Sequence, residues 1–161
     1  NEQGLTVTAF AVDHGEHIKP AYGYRIDYAG RSVVISGDTR FDENLIEMAR
    51  GSDLLIHEVA AARQELINFD ERIQLILNHH TAPEEAGIVF SRASPKLAAY
   101  THFVLLNGPG APEVTLEELV KRTRENYSGP LQLGEDLMGF EIGETVQIHK
   151  ILSLKFSGEM G

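Results

Sequence analysis

Seven histidines occur in the 161 residues, and four of them occupy similar places. His14, His57, His80 and His102 each follow an expected strand or sit on a loop before an expected helix, and Asp38 sits in the same kind of place. Imidazole nitrogens with a carboxylate suit zinc or another first-row divalent metal. A carboxylate can bridge two cations, and such a pair can hold a hydroxide nucleophile. A lone loop histidine is more often solvated than ligating; five such residues at successive strand ends point to a site, although spacing does not assign the metal. Plainer readings stand beside this one. Gly37-Asp38-Thr39 is also good turn chemistry. His79 competes with His80 for a ligand role, and the helix-start signal directly after His80 favours His80. His102 reads as a structural or supporting residue, and His17 and His149 as solvent-exposed.

The elements that must position these groups follow from periodicity. Leu5 to Val12 alternates and reads as a strand ending at Asp13-His14-Gly15. Tyr22 to Tyr28 alternates again and turns at Ala29-Gly30 into Arg31 to Ser36, a hairpin. Ser36-Gly37-Asp38-Thr39 breaks the run. Asn44 to Arg50 reads as a helix with Gly51 as stop signal. Asp53 to Ile56 is a short buried-type strand with His57-Glu58 at its C-terminal end, where ligands gather in α/β sheets. Val59 to Leu77 reads as helical with an interruption near Asn68, and Asn78-His79-His80 as a loop. Thr81-Ala82-Pro83-Glu84 matches a capping box with Thr81 as N-cap, opening a helix to Arg92. Lys96 to Tyr100 is a further strand, ending at Thr101-His102. A second capping box, Thr115 to Glu118, opens a helix to about Asn126. Leu131 to Leu133 and a hairpin from Leu137 to Ile148 close the chain. Hairpins followed by strand–helix alternation define half of an α/β sandwich.

Composition narrows the function. Cysteine is absent, which excludes disulfides, thiol catalysis and cysteine metal sites. Lys plus Arg number 14 against 24 Asp plus Glu, for a net charge of −10. That balance argues against a broad nucleic-acid surface. No apolar run approaches the roughly 20 residues of a membrane span. The chain starts at Asn1 without an initiating Met and reads as part of a longer protein, so its compartment, cytoplasmic or exported, stays open.

The motifs carry a resemblance. Ser36-Gly37-Asp38-Thr39-Arg40 resembles the Ser-Gly-Asp-Thr motif of the ribonuclease Z-like branch of metallo-β-lactamase-fold hydrolases. Val12-Asp13-His14-Gly15 with Tyr22-Gly23-Tyr24-Arg25-Ile26 resembles that branch's third metal motif and its strand. Asp53-Leu54-Leu55-Ile56-His57-Glu58 is similar to its Asp…His-Glu motif. His80-Thr81-Ala82-Pro83-Glu84-Glu85-Ala86-Gly87 with Tyr100-Thr101-His102 is similar to its last metal motif and the following helix and strand. The pieces come in the family's order between Leu5 and Phe103.

The resemblance implies one domain over residues 1–161, half of a four-layer αββα sandwich with a mixed sheet and flanking helices. It implies that His14 ligates one metal, that Asp38 bridges two zinc ions and that His80 ligates the other. His57 would face the substrate as donor or general acid, with Glu58 orienting it or simply ending the strand. The family's His-x-His-x-Asp-His motif does not occur in the 161 residues. An N-terminal half is therefore expected as partner, in the same protein or as another chain, with self-association as a second route, and the piece alone is expected to be inactive. Ribonuclease Z proper carries a long tRNA-gripping insertion between the positions matching His14 and Asp38. Those positions are only 24 apart here. Together with the charge, this favours hydrolysis of a small ester or phosphoester. The alternative is a non-catalytic binding or scaffold module that kept the fold.

Overall fold

In the computed structural model the described residues are 4–150; residues 1–3 and 151–161, and with them both ends of the single-domain reading, lie outside them. A six-stranded mixed sheet has the order β1-β2-β3-β4-β5-β6. The strands are β1 (Thr6–Ala11), β2 (Tyr22–Tyr28), β3 (Arg31–Ile35), β4 (Leu54–Ala61), β5 (Leu97–Leu105) and β6 (Leu131–Leu133). The first three pair antiparallel and the rest parallel. Ala29 and Gly30 close the β2–β3 hairpin with positive φ of 48° and 74°, the backbone a two-residue hairpin turn needs. Because β1 runs in the same direction as β3, β4 and β5, the C-terminal ends of four strands share one rim.

Side-chain alternation along strands sends every second residue to one face. Register places Phe10, Gly23, Val34, Leu55, His57, Ala98 and Tyr100 on one side. Over that side lie α1 (Glu43–Ala49), α4 (Pro83–Ala93) and α5 (Leu116–Thr123), and Leu45, Ile46, Val89, Phe90 and Leu119 join the strand residues in the main core. Each such fully buried side chain is worth about 1.5–3 kcal/mol. The opposite side carries Val7, Tyr22, Tyr24, Tyr28 and Ile35 in the register of β1–β3, and all five remain exposed. Over Leu54, Leu97 and Ala99 that same side is covered by the hairpin β7 (Gly139–Ile142) and β8 (Val146–His149), through Phe140, Ile142 and Val146.

Two expectations are corrected. Val59 to Leu77 is not a helix throughout: Val59–Ala61 extend β4 and pair with Phe103–Leu105, and helix appears only as α2 (Gln64–Phe69) and α3 (Glu71–Leu77). The alanines favour helix locally, but pairing with β5 overrides them. The N-cap of α4 is Ala82, not Thr81. Pro83 is the first helical residue, the position where a missing N–H costs nothing. Glu85 accepts from the Ala82 N–H at 3.1 Å, while the Thr81 hydroxyl donates to the Thr39 carbonyl at 2.7 Å. The box at Thr115 forms as expected, with Glu118 accepting from the Thr115 N–H and the Thr115 hydroxyl from the Glu118 N–H. Among the described residues no helix is long and apolar enough to cross a membrane.

Candidate metal centre

The shared rim collects the polar groups. His14 sits on the loop after β1, Asp38 on the turn after β3, His80 on the turn before α4, and His102 within β5. Gly37 makes the Asp38 turn possible: it has a φ of 63°, and a Cβ there would meet the Tyr22 carbonyl oxygen at 2.3 Å. One Asp38 carboxylate oxygen lies 4.0 Å from His14 Nε2, and the other lies 3.7 Å from His102 Nδ1. His14 and His80 ring centroids are 5.0 Å apart, and His80 and His102 stack at 5.7 Å.

The His14 tautomer follows from its partner. Its Nδ1 lies 2.7 Å from the His79 carbonyl, which can only accept, so Nδ1 carries a proton and Nε2 is the nitrogen turned toward Asp38. Glu58 is almost wholly buried and fully engaged: one oxygen accepts from the Thr81 N–H at 2.8 Å and the other pairs with His80 Nδ1 at 3.1 Å. That hydrogen bond raises the His80 pKa above the usual imidazole value, against the opposing pull of burial.

His102 is brought here by an irregularity in the sheet. Between the pairs His57–Tyr100 and Val59–Phe103, β4 advances two residues and β5 three. The extra residue is taken up where His102 has a φ of 43°, a left-handed conformation unusual for a side-chain-bearing residue. Period-two alternation gives no hint of such a bulge, and the sequence alone offers His102 only as a structural or supporting residue. Its place beside Glu58 and His80, with ligand atoms of all three within 4.8 Å of one another, makes it a candidate ligand.

His57 is not at the rim. Alternation puts it on the helix-covered side with Leu55, fully buried against Phe90 at 5.8 Å. Its Nδ1 donates to the Glu58 carbonyl at 2.6 Å, Nε2 has no partner, and burial lowers its pKa so that the ring stays neutral. The expectation that His57 faces a substrate is therefore corrected. His17 is exposed, and His149 pairs with Glu141 on the surface.

The donor set can be tested against a divalent ion. Zinc sits about 2.0–2.2 Å from nitrogen and oxygen donors at near-tetrahedral angles, so two donors of one ion lie about 3.3–3.6 Å apart. The two Asp38 contacts, at 4.0 and 3.7 Å, are a few tenths of an ångström wider, and each oxygen faces a different imidazole. Beside His80 the rim opens into a cavity of about 500 Å³ with Ala60, Ile67, Leu77, Gln74 and Arg40 in its wall.

A mixed sheet helix-covered on one side, with histidines and an aspartate gathered at its rim, defines a class, and the family comparison agrees: residues 1–103 match the beta-lactamase superfamily domain, and the chain belongs to the metallo-β-lactamase superfamily. Within it the chain is similar to ribonuclease Z. It is 30% identical over 144 residues to a putative ribonuclease Z of Mycobacterium tuberculosis strain CDC 1551, covering 88% of this chain and 61% of that protein. It is equally 30% identical to the ribonuclease Z of strain H37Ra, covering 88% of this chain and 50% of that protein. The metallo-β-lactamase-fold protein YhfI from Bacillus subtilis superposes with a TM-score of 0.65 at 20% identity, over 92% of this chain and 52% of that one. Human tRNase Z, short form, superposes with a TM-score of 0.54 at 20% identity, over 86% and 43%. The chain spans about half the length of the relatives it matches. The net charge of −10 consequently counts only a part of such a protein and does not weigh against nucleic acid.

Proposed function

We propose that this chain supplies half of the active site of a metal-dependent phosphodiesterase acting on RNA. The observation that carries the reading is the Asp38 carboxylate facing His14 with one oxygen and His102 with the other. The likeness to ribonuclease Z supports RNA as substrate class over the small ester expected from charge and from the short His14–Asp38 spacing. In this reading Asp38, His14 and His102 would hold two zinc ions together with ligands from outside these 161 residues. Such ions, when bound, lower the pKa of water and neutralise phosphoryl charge.

His80, expected from the resemblance to ligate the second ion, takes a different role here. Glu58 on Nδ1 would steady His80 as a ligand and equally keeps a proton on the ring for delivery; the second use is the one taken here. Glu58 holds Nδ1–H and orients the ring, and Nε2–H donates its proton to the departing oxygen of the ester. Arg40 lines the cavity beside it, where the strand on one side of the scissile bond can lie.

Asp38→Ala in the full-length protein, assayed on a short RNA with zinc supplied, abolishes turnover and lowers zinc stoichiometry. Full activity in that variant removes the site assignment. Full zinc content with no activity in the unmodified protein on any phosphodiester would instead favour a non-catalytic module.

A further inference from the structure

The geometry points to His79 as a positioning residue that locks the His14 ligand through a reciprocal imidazole–carbonyl pair, an inference that rests on the proposed ligand role of His14. The two neighbours are 65 residues apart in sequence, yet each ring reaches the other's backbone: His14 Nδ1 donates to the His79 carbonyl and His79 Nδ1 donates to the His14 carbonyl, both at 2.7 Å. Either bond alone would leave one peptide free to rotate. Together they fix the tautomer of His14 and the peptide that carries it.

A second observation supports the pair. Gly15 has a φ of 98°, and a Cβ on it would lie 2.2 Å from His79 Nδ1. The loop thus has its one side-chain-free residue where the His79 ring presses against it. The rings of His14 and His79 meet edge-on at 5.8 Å.

The fit of this pair into the site explains what it adds. The His14 loop is already tied to the Asp38 turn, since the Asp13 carbonyl accepts from the Arg40 N–H at 2.9 Å and Asp13 pairs with Arg40 at 2.6 Å. The turn before α4 is tied to the same region by Thr81 on Thr39. Among the hydrogen bonds of the described residues, the His14–His79 pair is the one direct link between the His14 loop and the turn that carries His80. It sets the distance between an ion ligand and the proton donor. The His79 carbonyl holds the His14 ring nitrogen, the kind of support that orients metal-binding histidines, and the His79 ring holds the peptide that carries His14.

The test measures zinc affinity of the full-length protein by competition with a chromophoric chelator, with melting of the metal-free protein alongside. His79→Phe keeps the ring against Gly15 but loses the donor; His79→Asn retains a donor near the Nδ1 position. The expected result is zinc bound about 2–10-fold more weakly in His79→Phe, the loss of one hydrogen bond on the peptide that carries His14, with affinity recovered in His79→Asn although both metal-free variants melt alike. His79→Ala gives the same comparison without ring bulk. His79→Phe binding zinc as tightly as the unmodified protein overturns the proposal, as does His79→Asn binding as weakly as His79→Phe. His14→Ala separates the two levels. Full zinc affinity in His14→Ala removes the ligand reading and this proposal with it, whereas weak binding there beside tight binding in His79→Phe overturns the positioning role alone.

Discussion

A histidine beside a carboxylate has two common uses: the carboxylate steadies a metal ligand, or it keeps a proton on the ring for delivery. At His80, Glu58 is buried, takes the Thr81 N–H with its other oxygen and cannot turn away from the ring, so it can serve either use, and the proposed function takes the second. The two roles differ in a measurable way. His80→Ala in the full-length protein is expected to slow turnover by about 10²–10⁴-fold, the usual contribution of a positioned acid, while bound zinc per chain stays unchanged. A fall in zinc stoichiometry would return His80 to the ligand set. Glu58→Gln tests the same pair from the other side: the ring loses its carboxylate partner and its pKa falls back toward the ordinary imidazole value, so any limb of the rate profile owed to protonated His80 moves to lower pH.

Among the elements, the parallel strands are held at the end away from the rim by Asp53. Its carboxylate accepts from the Ser32 N–H at 2.7 Å and pairs with Lys96 at 2.6 Å, so one side chain links the starts of β3, β4 and β5. Burial pushes the Asp53 carboxyl up, but the Lys96 ammonium and the Ser32 N–H outweigh it and hold the pKa below the ordinary aspartate value. A depressed folded-state pKa contributes stability that is complete above the unfolded value near 3.8 and is lost as pH falls through the lower folded value. Asp53→Asn is expected to cost about 1 kcal/mol at neutral pH, the difference between a charged and a neutral acceptor. That gap should narrow in acid, and a urea midpoint series across pH reads it; a gap constant with pH would remove the charge from the account. The same elements show what sequence reading reaches. The hairpin, the Gly-Asp turn and the Thr115 cap are local, and alternation and turn chemistry reveal them. His57 was misplaced although its parity with Leu55 was available, because a strand end was assumed where β4 continues. His102 was not legible, since its place depends on a count between two strands distant in sequence.

At the scale of the molecule, the sheet is finished on one side and open on the other. Val7, Tyr22, Tyr24, Tyr28 and Ile35 form an apolar and aromatic strip across β1–β3 that stays exposed beside the β7–β8 hairpin. Exposed strips of this kind promote association. The 161-residue chain by itself is expected to self-associate in sedimentation, and Tyr24→Lys with Val7→Lys to shift it toward monomer without loss of secondary structure. A monomeric parent at high concentration would count against the strip as an interface. A second sheet packed there, as the expected N-terminal half would provide, covers the same residues.

The uneven step between β4 and β5 has a mechanical meaning. Below it the strands form one ladder that continues into the core; above it they form a second, offset by a residue, and His102 stands at the junction. Anything gripping Asp38 and His102 together staples the neighbouring β3 turn to this joint, so ligand occupancy would brace the sheet at the very place where its own pairing lapses.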